Sequence, residues 1–157
     1  MANTVINGTD VLLFISPASG ATTWTAVGAA TSHTLSYKMA TRVTSNKGTG
    51  TLETRAAGRL DVTGSAEGMY VDSSKYNIED LMKLVTGRVP VMMIFGKETS
   101  ALSGVPDTTT SGGSHYYASG KFYITSCDST FPDQGNATFS ITFEHASGFQ
   151  VNKLIVS

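Results

Sequence analysis

Apolar and polar residues alternate with a period of two along much of this chain. From Thr31 to Val43, Leu35, Tyr37 and Met39 fall on one side, and Ser32, Thr34, Ser36, Lys38 and Arg42 on the other. Arg59 to Met69 repeats the pattern, with Leu60, Val62 and Ala66 against Asp61, Thr63, Ser65 and Glu67. The stretch Asn136 to His145 alternates strictly. Ala137, Phe139, Ile141 and Phe143 oppose Thr138, Ser140, Thr142 and Glu144. Each of these strands is predicted to have one core face and one wet face. Lys121 to Phe131 pairs with the last of them through the turn Pro132-Asp133-Gln134-Gly135.

Other elements break the period. Val11 to Ser16 reads as a first strand and Trp24 to Val27 as a short second one. Ile78, Leu81, Met82 and Val85 follow helical spacing, so a single short helix is predicted. Asn77 is its expected cap, with Asp80 reaching back, and Gly87 with Arg88 its expected end. Val89 to Phe95 is apolar almost throughout, which predicts a strand covered on both sides. Glu98 to Ala118 reads as a long loop, and Val151 to Val156 as a last edge strand.

Composition sharpens this into an all-β reading. The chain has 157 residues, which predicts one domain. Charged residues make up only 15%, against a usual share of about 25%. Ser and Thr fill 40 positions instead. Net charge is −1, so no basic field exists to hold nucleic acid tightly. The apolar run Val11 to Ile15 is too short for a membrane span, and no Lys or Arg precedes Lys38, so no secretory leader is expected. A lone Cys127 cannot form an internal disulfide, which fits synthesis in a reducing cytosol.

Candidate chemistry is sparse. His33, His115 and His145 are far apart and lack metal-ligand spacing, and His33 is expected as a hydrogen-bonded core residue. Cys127 reads as a strand residue rather than a nucleophile. No nucleotide-binding glycine pattern and no nucleophile elbow occur. Neither a cofactor nor a metal is expected. Asp61 and Glu67 could form a carboxylate site, and Tyr116 and Tyr117 could stack a sugar. Three readings follow: a structural protein, a carbohydrate-binding β-sandwich module, and a small β-fold enzyme.

Four segments together resemble the major tail tube proteins of long-tailed bacteriophages. They are MANTVINGTDVLLFI, TSHTLSYKMATRVTSNKGTG, KYNIEDLMKLVTGRVPVMMIFG and GKFYITSCDSTFPDQGNATFSITFE. The resemblance lies in their order and spacing across nearly the whole chain. It implies a β-sandwich or partly closed barrel with one short helix, forming hexameric rings that stack into a tube. It also implies no catalysis, location in a virion tail, and passage of DNA during genome ejection. Tape measure, tail terminator and baseplate proteins are the implied partners, with a sheath in contractile tails. The same likeness extends to secretion-system tube proteins.

In such a tube, four strands per copy would join into one channel wall. Six copies give a barrel backbone about 48 Å across, wide enough for a DNA duplex. The implied channel set is Ser32, Thr34, Ser36, Lys38, Asp61, Thr63, Ser65, Glu67, Thr138, Ser140, Thr142 and Glu144. Thr44 to Ala57 becomes an inter-ring stacking loop. It would use Lys47, Gly48, Gly50, Leu52, Glu53 and Arg55, with Lys47, Glu53 and Arg55 free for ion pairs between rings.

Overall fold

The computed structural model describes residue 8 and residues 11–17, 24–27, 30–48, 50, 52–71, 76–96 and 116–151. Seven strands and one helix follow in the order β1 (Leu12–Pro17), β2 (Thr25–Ala26), β3 (Ala30–Val43), β4 (Arg55–Met69), α1 (Ile78–Gly87), β5 (Val91–Gly96), β6 (Tyr116–Thr130) and β7 (Thr138–Val151). The fold is mainly β with one short helix. All seven strands lie in one antiparallel sheet of order β2-β1-β5-β6-β7-β4-β3, which does not close on itself.

The sheet folds over so that its two halves face each other. His33 of β3 meets Phe95 of β5 with ring centroids 5.6 Å apart, although three strands separate them in the sheet. Phe95 also touches Phe143 at 5.9 Å and Phe122 at 6.3 Å, and Phe122 meets Phe143 edge-on at 5.4 Å. Such ring contacts add about 1 kcal/mol each beyond the area they bury. Leu13, Ile15, Val62, Ala66, Leu81, Met93 and Ile141 complete the core around them. The helix packs chiefly against β6 and buries Ile78 and Leu81 in the core.

The helix and both its ends fall where the sequence puts them, with Asn77 ahead of Ile78 and Arg88 after Gly87. Asn77 Oδ1 accepts from both Glu79 N and Asp80 N, which caps the first turn. Gly87 remains helical. Arg88 takes the left-handed conformation at φ 53°, and its N–H donates back to Leu84 O and Val85 O.

Several strand boundaries move outward. β4 begins at Arg55 rather than Arg59, because Ala56 and Ala57 continue the ladder opposite Arg42 and Thr41. β6 begins at Tyr116 rather than Lys121, pairing with β5 from there. β7 continues past His145 to Val151, with register shifts and a left-handed Gly148 carrying it through Ala146 to Gly148. Val151 thus ends β7, and residues 152–157 of the expected edge strand lie outside the described residues. Val89, expected within a buried strand, is exposed ahead of β5. The predicted core face also fails beyond the middle of the β3–β4 hairpin. Val62 is fully buried, but Tyr37 is 45% exposed, Met39 58% and Leu60 57%.

Candidate functional site

The two long hairpins, β3–β4 and β6–β7, join side by side through β4 and β7. Their side chains therefore fall into cross-strand rows. Thr34 stands opposite Ser65, which stands opposite Thr142, which stands opposite Ser126. One row has Ser36, Thr63 and Glu144, and another has Ser32, Glu67 and Ser140. Lys38 stands opposite Asp61, and Thr138 opposite Met69. Directly opposed residues share a face. Every polar residue of the implied channel set thus lies on one side of β7-β4-β3, exposed or half-buried.

β6 contributes residues to this side that the alternation does not announce. A register shift between Ile124 and Ser126 brings both Thr125 and Ser126 against Thr142. Ser126 Oγ and Thr142 Oγ1 are 2.6 Å apart, and Thr125 Oγ1 and Thr142 Oγ1 3.1 Å apart. Asp128 and Thr130 then follow, opposite Ser140 and Thr138. Ser126, Asp128 and Thr130 alternate with Cys127 and Ser129, which is the signal in the sequence. The bulge is what hides it. A shallow depression of about 280 Å³ lies over Thr34, Thr63, Ser65, Thr125 and Thr142. Thr and Ser residues supply most of its lining, with Gly64, Phe143 and Glu144.

The alternative chemistries do not assemble. Asp61 and Glu67 share a face of β4, but six residues of strand separate them by about 20 Å. That is beyond the reach of a cooperating carboxylate pair. No cluster of potential metal ligands occurs among the described residues. Burial, with a smaller contribution from Asp128, pushes the Cys127 thiol up, so it stays protonated and packs against the core. His33 makes its ring contact with Phe95, and no hydrogen bond to it is seen among the described residues. His145 lies inside β7 rather than at its end, edge-on to Phe122. Tyr116 and Tyr117 begin β6 instead of ending a loop, and residues 97–115, including His115, lie outside the described residues.

The tip of the β3–β4 hairpin is closed by Thr44. Its N–H donates to Thr54 O at 2.8 Å, and its hydroxyl lies 3.1 Å from that of Thr54. Within the loop, Asn46 Oδ1 accepts from Gly48 N at 2.8 Å, and Gly50 is left-handed at φ 74°. Leu52 is 79% exposed. Glu53 and Arg55, expected to be free for contacts between rings, instead pair with each other at 3.0 Å in one chain. Arg55 belongs to β4, opposite Val43. Lys47 makes no ion pair among the described residues.

Known structures share this fold. The chain is similar to the tail of an empty gene transfer agent particle refined with C6 symmetry, at a TM-score of 0.71 and 17% identity, covering 94% of this chain and 98% of that one. It is similar to the tail tube of SPP1, solved by solid-state NMR and cryo-EM, at 0.70 and 12% identity, covering 98% and 81%. It is also similar to a chain from the baseplate of the anti-feeding prophage, at 0.63 and 7% identity, covering 96% of each. No protein of curated function matches it in sequence. The model of the phage tail tube protein family matches residues 5–151, nearly the whole chain, and this chain belongs to that family.

Proposed function

We propose that the 157 residues form one tail tube domain, six copies of which close into a ring whose stacked repeats enclose a DNA channel. The observation that carries this reading is the block β6-β7-β4-β3 with both outer edges open. β3 has no strand beyond it among the described residues. β5 pairs with β6 only from Tyr116 to Phe122, which leaves Tyr123–Thr130 with β7 on one side and, among the described residues, no strand on the other. Open edges call for a partner strand.

An even number of strands decides how copies join. β3 and β6 run in opposite directions, so β3 of one copy meets β6 of the next in antiparallel fashion. The polar rows then continue across the seam with the same face inward. Such a head-to-tail contact closes into a ring when its rotation divides a full turn. The C6 symmetry of the similar gene transfer agent tail supports six copies.

The remaining assignments follow from position. The rows from Ser32 to Lys38, Asp61 to Glu67 and Thr138 to Glu144 line the channel, and the loop around Lys47 to Glu53 reaches the next ring. The tube belongs to the virion tail, is made in the bacterial host cytoplasm, and meets tape measure, terminator and baseplate proteins, with a sheath outside it in contractile tails. The polar face carries Lys38 against Asp61, Glu67, Asp128 and Glu144, which leaves DNA free to slide. Negative-stain imaging of concentrated purified protein is expected to show sixfold rings and filaments. A monomer at every concentration overturns the proposal.

A further inference from the structure

The β3–β4 hairpin outruns the sheet that carries it. β7 pairs with β4 only from Thr63 to Met69, so among the described strands Arg55–Asp61 has β3 alone beside it. Seven residues of strand project by about 23 Å. A two-stranded ribbon is at best marginally stable by itself. Yet this one carries Met39 directly opposite Leu60 on the side that faces the core lower down. The same side holds Leu35 opposite Gly64, and His33 and Tyr37, whose partners Ala66 and Val62 are buried at 1% and 0%. The apolar column thus runs out of the core into solvent, and Val43 extends it at 53% exposure.

We infer that this outer apolar face, centred on Met39 and Leu60, is a socket covered by a neighbouring copy of the same chain. The inference rests on the tube reading and adds the surface that holds neighbours together behind the channel wall. The argument is one of layers. The strand that continues the sheet beyond β3 would be β6 of the next copy. That β6 carries α1 on its core side. The core side of β6 and the Met39–Leu60 side of β3 are the same side of a continuous sheet. A neighbour therefore brings an apolar layer to the place where this face points. The opposite face of the ribbon has Lys38 and Asp61 and stays in the channel.

Two measurements test it. Wild-type tubes and unassembled subunits are treated with hydrogen peroxide, and each methionine is followed by mass spectrometry. Met39 is expected to oxidise at least tenfold more slowly in tubes than in subunits, while buried Met93 is slow in both. Equal rates for Met39 overturn the inference and leave the tube intact as a reading. Leu60→Glu changes an exposed position, so the subunit is expected to melt as wild type does but to form no rings. Normal assembly of Leu60→Glu also overturns the socket. Failure of the wild-type chain to form any tube overturns the tube reading itself, which is a different result.

Discussion

Gly64 stands directly across the β4–β7 ladder from Phe143, and the Phe143 ring fills the space that a side chain at residue 64 would need. A Cβ there would also lie 2.6 Å from the backbone oxygen of Thr34. The ring cannot retreat freely, because it meets Phe122 and Phe95 on its other sides. Gly64→Ala is therefore expected to destabilise the unassembled subunit by about 3 kcal/mol, the upper end for overpacking. Urea unfolding measures this directly. A loss under about 0.5 kcal/mol would mean that the aromatic cluster is not rigid.

His33 gives the fold a pH dependence. Burial holds its imidazole below the ordinary value near 6.5. The unfolded chain therefore binds the proton more readily than the folded one. Stability from the neutral ring is fully present above about pH 6.5 and is lost as pH falls through the lowered folded value. The urea midpoint of the subunit is expected to drop between about pH 7.5 and pH 5. His33→Phe keeps a ring against Phe95 and removes the titration, so its midpoint is expected to drop less. Parallel curves for the two proteins would assign the pH dependence elsewhere.

The faces of the long strands were legible in the sequence because a period of two survives in them. Ser32 to Lys38, Asp61 to Glu67 and Thr138 to Glu144 fall into rows on the side that alternation assigns them. The strand ends were not legible. Ala56, Ala57 and Gly58 have no alternation to read, and the ladder passes through them on backbone pairing alone. Thr125 and Ser126 were missed because the bulge beside them breaks the period. At the helix, Asn77 was readable from its capping chemistry. So was the end at Gly87 and Arg88, although the residue that takes the left-handed conformation is Arg88 and not the glycine. Alternation also marked Met39 and Leu60 as inward without revealing that one chain leaves them bare. Burial depends on what lies opposite, and the sequence pattern carries no such information.

The stacking role proposed for the hairpin loop can be tested apart from folding. Thr44 and Thr54 close the hairpin below it, and the Glu53–Arg55 pair is half-exposed, worth at most about 1 kcal/mol. Little of the subunit depends on Lys47 to Thr51. Deleting these residues is expected to leave the melting temperature within about 2 °C of wild type. Rings are expected to form, and long tubes are not. Electron microscopy of the variant decides between the outcomes. Tubes of full length would remove the loop from the contact between rings.

The polar rows make the strongest claim about DNA, because their charge can be inverted without touching the core. Asp61, Glu67 and Glu144 are exposed on that face, and their backbones stay in the ladder whatever the side chain. Replacing all three by Lys turns one cation against four anions, Asp128 included, into four cations against Asp128 alone. Phosphate affinity comes from such cations and from the counterions they release, so it weakens steeply as salt rises. Virions built with the triple variant are expected to assemble normally and to eject DNA at least tenfold more slowly at low salt. Raising the salt is expected to restore much of the rate. A general defect in tail structure would not respond to salt in this way. Wild-type ejection kinetics at low salt would show that these rows do not face the moving duplex.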